Sequence, residues 1–183
     1  MTAVRLLAAA DAPLLAAPYY RGGDPGPIVR SLAHVPELLE AAMPFIGVAL
    51  GPSGIPWRTK ELVIVRVSAR AGCRYCVQAH TAVALDAGLT RDEILALRLA
   101  HDFRQVFTDP RERAVIAWSD AATSLTPPDP QTRAEAAEHL AEHELVELTV
   151  LAGATLMLNR LATMLELPTA PSTLARLNEL ALA

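Results

Sequence analysis

Residues 61–80, ELVIVRVSARAGCRYCVQAH, decide how this chain is read. Leu62–Val67 clusters β-branched residues in the manner of a strand. The run is short, and no second segment carries the same signature. A lone strand has nothing to pair with, so a buried helix is expected here. The second half holds both cysteines of the chain, Cys73 and Cys76, with Gly72 before them and His80 one turn beyond. Gly72 is expected to end one helix just before Cys73 starts the next.

Outward from this stretch the punctuation falls at helix-length intervals. Pro36 is tolerated in the first turn of a helix that Pro44 is expected to kink. CVQAHTAVALDAG runs helically to Gly88, and Thr90 with Glu93 forms a capping-box pattern for the next helix. Asp109–Pro110 and Asp129–Pro130 each read as an N-cap followed by a first-turn proline. ELVELTVLAGATLMLNRLATMLEL predicts a long helix central to the core, stopped by Pro168, with a short helix after Pro171. The fold class is all-α, with roughly seven to nine helices in a single domain. Residues 1–27 are expected to form an N-terminal arm, 28–167 the helical domain and 168–183 a tail helix.

Bulk composition narrows the function classes. The chain has 183 residues, about one domain. Hydrophobic residues make up 52% and charged ones 20%, which is ordinary for a soluble globular protein. A net charge of −4 without a Lys/Arg run, and 4% aromatics, argue against nucleic-acid partners. The N-terminal MTAVRLLAAADAPLLAAPYY is interrupted by Asp11 and Pro13 before a secretory core can form. Nowhere do about 18 apolar residues run uninterrupted, so no membrane span is expected. A cytoplasmic location follows, where a close cysteine pair is catalytic or metal-binding more often than structural.

On a helix, Cys73 and Cys76 lie about 60° apart around the axis, and Cys76 and His80 about 40° apart, so all three share one face. A helix start stabilises a thiolate through its unpaired N–H groups and macrodipole. His80 can serve as base or as imidazolium partner. Glu61, on the preceding helix, becomes a proton acceptor near neutral pH if burial raises its pKa. Three readings fit the spacing: redox thiol chemistry, a metal site built from Cys73, Cys76, His80 and Glu61, or inert core cysteines.

Glu61, Cys73, Cys76 and His80 form an E-x11-C-x2-C-x3-H pattern. With the flanking segments FTDPRERAVIAWSDAATSL and ELVELTVLAGATLMLNR, it resembles the AhpD-like alkylhydroperoxidase branch of the carboxymuconolactone decarboxylase family, over roughly Val35 to Arg160. The resemblance implies an AhpD-like helical fold, a homotrimer or homohexamer, and a peroxiredoxin-type antioxidant enzyme. Its two cysteines would reduce a hydroperoxide and end as a disulfide, which a thiol reductant then reopens. No cofactor or metal is expected. By position, Cys76 would be the peroxidatic thiol, Cys73 the resolving thiol and proton donor, and Glu61 and His80 the proton relay. The dipole argument alone favours Cys73 as the more acidic thiol. The family assignment is followed, because a specific base outweighs a dipole worth about 0.3–1 kcal/mol. The best-studied branch has a histidine directly before the second cysteine, where this chain has Tyr75, a poorer proton shuttle. The alternatives are a carboxymuconolactone decarboxylase-like lyase, whose branch generally lacks the cysteine pair, and a non-catalytic module that keeps the pair as a redox switch.

HLAEH, from His139 to His143, matches the H-x-x-E-H order of inverted zinc proteases, but the resemblance puts it across a helix junction. His34 and His101 are expected at the surface or at caps, and Trp118 and Met157 in the core. Asn159 and Arg160 interrupt a buried helix and serve either structure or a pocket. Arg70 and Arg74 flank the cysteines and either lower a thiolate pKa or face solvent.

Overall fold

A computed structural model describes residues 2–98, 102–124 and 126–183. Through these residues run α1 (Gly26–Leu32), α2 (Pro36–Leu50), α3 (Trp57–Arg70), α4 (Arg74–Asp86), α5 (Arg91–Arg98), α6 (Pro110–Ala122), α7 (Pro130–His139), α8 (Glu142–Met164) and α9 (Pro171–Glu179). Short 3-10 turns occupy Ala9–Asp11, Leu14–Tyr20 and Phe103–Gln105, and no strand occurs among the described residues. The fold is all-α, as expected. His101 lies outside the described residues.

The strand-like run is the most enclosed helix of the molecule. Every residue of α3 from Lys60 to Ser68 is buried, because α4, α5, α6 and α8 all pack against it. A helix covered on all sides needs no polar stripe, so its sequence loses the 3.6-residue period that normally marks a helix. Its buried charges are paired. Lys60 Nζ reaches Gly51 O at 2.6 Å and Glu147 Oε1 at 2.9 Å. Arg66 grips Asp120 through Nε–Oδ1 at 2.6 Å and Nη2–Oδ2 at 2.8 Å.

The predicted caps form. Thr90 N donates to Glu93 Oε2 at 2.7 Å while Glu93 N donates to Thr90 Oγ1 at 3.3 Å. Asp109 Oδ1 accepts from Arg111 N at 2.9 Å, and Asp129 Oδ1 from Gln131 N at 2.8 Å. Arg58 then ties three helices together, donating to Glu93 Oε1 at 2.5 Å, Glu112 Oε1 at 2.7 Å and Gly88 O at 2.9 Å. The second helix runs on through Pro44 to Leu50.

One expectation changes. α8 packs against α1, α2, α3, α4 and α6, as a central helix does, but it buries Leu148, Leu151, Ala152, Thr155, Asn159 and Ala162 on one side and leaves Val146, Val150, Met157 and Met164 exposed. Met157 is therefore no core residue, at 45% exposure. α8 is long and apolar enough to cross a membrane by length and composition, yet it packs in the bundle against α2, α3, α4 and α6. The chain ends pack onto the helical domain. Leu7 and Ala16 share a core cluster with α1 and α2, while Leu177 and Leu182 join Leu62, Ile94 and Ile116 in another.

Candidate functional site

Two reversals of the chain build the site. At the end of α3, Cys73 N donates to Ser68 O at 3.0 Å and Gly72 N to Ala69 O at 3.1 Å, with Gly72 at φ +66°. This paired closure needs a left-handed residue, which glycine supplies without a Cβ penalty. Cys73 is thus the last residue of that closure and also the N-cap of α4, where its sulfur accepts from Cys76 N at 3.3 Å. At the end of α8 the same closure recurs: Leu167 N donates to Ala162 O at 3.0 Å and Glu166 N to Thr163 O at 3.3 Å. Here the left-handed residue is Glu166, at φ +52°.

The two reversals meet. Cys73, Cys76, Ala162 and Leu167 form one buried cluster, against which Leu6, Ile28, Tyr75 and Leu165 pack. Ala3 N donates to Leu165 O at 3.0 Å, so the N-terminal arm seals the end of α8 beside the cysteines. A cleft of about 370 Å³ is lined by Gly72, Cys73, Tyr75, Thr163, Glu166 and Leu167.

Both thiols are free and buried, with their sulfurs 2.7 Å apart, closer than van der Waals contact. The pair divides its charge unequally. The Cys76 thiol donates to Cys73, and with help from the Cys76 backbone N–H, Thr163 and Asn159 it draws the Cys73 pKa down to about 6 against burial. The same contact, together with burial, pushes the Cys76 thiol up. Cys73 is therefore the more acidic thiol of the pair, the order that its place at the helix start favours. Hydrogen bonds decide this, and the helix start adds to them. Asn159 is also anchored, its Nδ2 donating to Ser68 Oγ at 3.0 Å. Tyr75 is pushed up to about 12 by burial and by the neighbouring cysteine pair, so its phenol stays protonated.

Glu61 and His80 form the second pair. Glu61 is almost fully buried on α3, and its Oε2 lies 3.0 Å from His80 Nδ1 on α4. His80 follows Cys76 by one helical turn, but its hydrogen bond goes to Glu61 and none joins it to either sulfur. The four predicted residues thus sit on one α3–α4 corner as two couples, thiol–thiol and carboxylate–imidazole. With Glu61 and His80 bonded to each other, no three His, Cys, Asp or Glu side chains converge as metal ligands among the described residues.

Several contributors were not foreseen: Ser68, Thr163, Glu166 and Leu167. Thr163 had a readable signal, since it follows Asn159 by one turn on α8 and so shares its face. Other candidates resolve simply. His139 ends α7 while Glu142 and His143 begin α8, so HLAEH spans a junction as expected. His34 is exposed and its ring Nε2 meets Arg5 O at 2.7 Å. Trp118 Nε1 donates to Thr149 Oγ1 at 3.0 Å at the edge of the core. Arg70 faces Asp120 at 3.8 Å, and Arg74 is exposed on the rim of the cleft.

Known proteins are similar to this chain in sequence and fold. The sequence model of the carboxymuconolactone decarboxylase family matches residues 36–121, a segment that contains Glu61, Cys73, Cys76 and His80. The uncharacterized protein YdfG of Bacillus subtilis (strain 168) is 30% identical over 113 residues, covering 60% of this chain and 75% of that protein. A crystal structure from Agrobacterium tumefaciens, of a protein of unknown function described as a putative antioxidant defence protein AhpD, matches with a TM-score of 0.70 at 26% identity. It covers 76% of this chain and 95% of its own. A variant of the debrominase Bmp8 in complex with 2,3,4-tribromopyrrole has a TM-score of 0.78 at 23% identity, over 98% of this chain and 97% of its own. That likeness concerns the fold alone, and it extends through the N-terminal arm and the C-terminal helix. Sequence, relatives and fold agree: the chain belongs to the carboxymuconolactone decarboxylase family.

Proposed function

We propose that this protein is a thiol-dependent hydroperoxide reductase. Cys73 and Cys76 cycle between dithiol and disulfide, and Glu61 and His80 relay protons. The observation that carries this reading is the contact between two sulfurs 2.7 Å apart, one of them with its pKa lowered to about 6. The lowered pKa favours the thiolate, the nucleophilic form, at neutral pH.

In the first step the Cys73 sulfur attacks the terminal oxygen of the hydroperoxide and the O–O bond breaks. The alkoxide takes the Cys76 proton and leaves as alcohol, with Cys73 as a sulfenic acid. Cys76 then attacks that sulfur and expels hydroxide, which gains a proton through His80 and leaves as water. Two electrons pass from the thiol pair to the peroxide, and one proton is taken up from solvent. A thiol reductant of still unspecified identity returns two electrons and reopens the disulfide. This order exchanges the peroxidatic and resolving roles that the resemblance implied, and it follows the charge on Cys73. Tyr75, held as a phenol, can donate a hydrogen bond but not accept the thiol proton. A reducing compartment such as the cytoplasm keeps the resting pair as dithiol.

The exposed apolar residues of α2 and α8 (Leu38, Phe45, Val48, Val146, Val150 and Met164) support a homo-oligomer, with light scattering as the check. The likeness to a debrominase motivates a second arm, since a dithiol can also deliver two electrons to a carbon–bromine bond. The test adds one equivalent of tert-butyl hydroperoxide, hydrogen peroxide or 2,3,4-tribromopyrrole to the reduced protein. Mass spectrometry then locates any 73–76 disulfide. A disulfide with a peroxide, lost in Cys73→Ser and Cys76→Ser, is expected. Peroxide consumption unchanged in those variants would overturn the reading, and a disulfide formed only with the bromopyrrole would replace it.

A further inference from the structure

A second cleft, of about 400 Å³, lies where α3, α5, α6 and α8 meet, and four arginines line it: Arg66, Arg70, Arg98 and Arg160. Among the described residues no Asp or Glu is in its walls. Asp120, beside it, is gripped by two Arg66 nitrogens and faces Arg70 at 3.8 Å.

The four differ in how far they are committed. Arg66 is buried and engaged, donating also to Leu97 O at 3.1 Å, and it forms the floor. Arg98 is half-buried and donates Nη1 to Leu182 O at 2.5 Å, a carbonyl that neutralises no charge. Arg160 is exposed and makes no ion pair among the described residues. It is also one of the two polar residues that interrupt the apolar run of α8. Unbalanced cations around a concave, partly desolvated wall concentrate anions there. Planar guanidinium forks match carboxylate and phosphate oxygens two at a time.

We propose that this cleft binds a small polyanion, a molecule bearing two or more carboxylate or phosphate groups. Arg70, Arg98 and Arg160 hold it above the Arg66 floor. The volume suits a small molecule. Ala69 and Arg98 also border the adjoining cleft that reaches Gly72, Cys73 and Gln78, so the anion would sit beside the thiol pair's own approach. The site does not depend on the peroxide chemistry.

Calorimetric titration of the full chain at about 0.1 M salt, where long-range surface attraction is largely screened, tests this with citrate, pyrophosphate and acetate. Saturable binding of citrate or pyrophosphate, one per chain, is expected, with acetate much weaker. The two polyanion arms separate a polycarboxylate from a phosphate ligand. Loss of one charged hydrogen-bond partner weakens such binding about tenfold or more. That loss is expected for both Arg160→Gln and Arg70→Gln, whose exposed side chains leave folding intact by circular dichroism. No saturable binding of either polyanion, or undiminished binding in the double variant, would overturn the proposal.

Discussion

Replacing Cys76 with alanine removes the strongest influence on Cys73. The Cys73 thiol is drawn down from an ordinary 9.0 to about 6. The Cys76 thiol is the largest contributor, ahead of the Cys76 backbone N–H, Thr163 and Asn159. A hydrogen bond to a charged group is worth about 1.5–3 kcal/mol, so Cys76→Ala should raise the midpoint by about one to two pH units. The rate of iodoacetamide alkylation against pH reads that midpoint, and peptide mapping locates the adduct. In Cys73→Ala the lone Cys76 should react only above the ordinary thiol range, because burial still opposes its charge. Two results would refute the reasoning: a wild-type adduct that forms first on Cys76 at neutral pH, or a Cys76→Ala midpoint that stays near 6. The same shift sets a sign for stability. A lowered thiol pKa stabilises the folded state fully above the unfolded value near 9, and that stabilisation is lost as pH falls through about 6. The raised pKa of Cys76 opposes any further gain above that range. Acidification from about pH 8 to about pH 6 should therefore weaken the reduced protein relative to the disulfide form, measured by urea unfolding of each.

Gly72→Ala places a Cβ at φ +66°, where it meets no neighbour within 4 Å, so the cost is backbone strain alone, about 1–2 kcal/mol. Glu166→Gly, at φ +52°, should do the opposite and stabilise by about 1 kcal/mol. Chemical denaturation midpoints read both, and shifts of the same sign would contradict the closure described for the two helix ends. Asn159→Ala removes a polar neighbour that lowers the Cys73 pKa and takes from the buried Ser68 hydroxyl its Asn159 partner. It should cost about 1–3 kcal/mol and raise the alkylation midpoint of Cys73, whereas a purely structural Asn159 would leave that midpoint alone.

Helix punctuation was legible because caps are local. Thr90 with Glu93, Asp109 and Asp129 satisfy backbone groups within a few residues of themselves, so spacing alone predicts them. Gly72 was legible for the same reason: a left-handed closure demands a residue type at one position. The helical identity of Leu62–Val67 came only by elimination, since its enclosing helices lie elsewhere in the chain. The exposure of Met157 was missed because composition cannot say which side of an apolar helix finds a partner.

The sequence by itself determined that Cys73 and Cys76 share one turn at a helix start, with His80 on their face and Glu61 on the helix before. Helical geometry relates residues three and four apart, whatever the rest of the chain does. The tertiary structure alone decided what surrounds the two sulfurs. Asn159 and Thr163 come near the pair from α8, and Leu6 and Leu167 close it from water. A pKa sums burial and hydrogen bonds over every neighbour, and these distant ones are brought to the site only by folding.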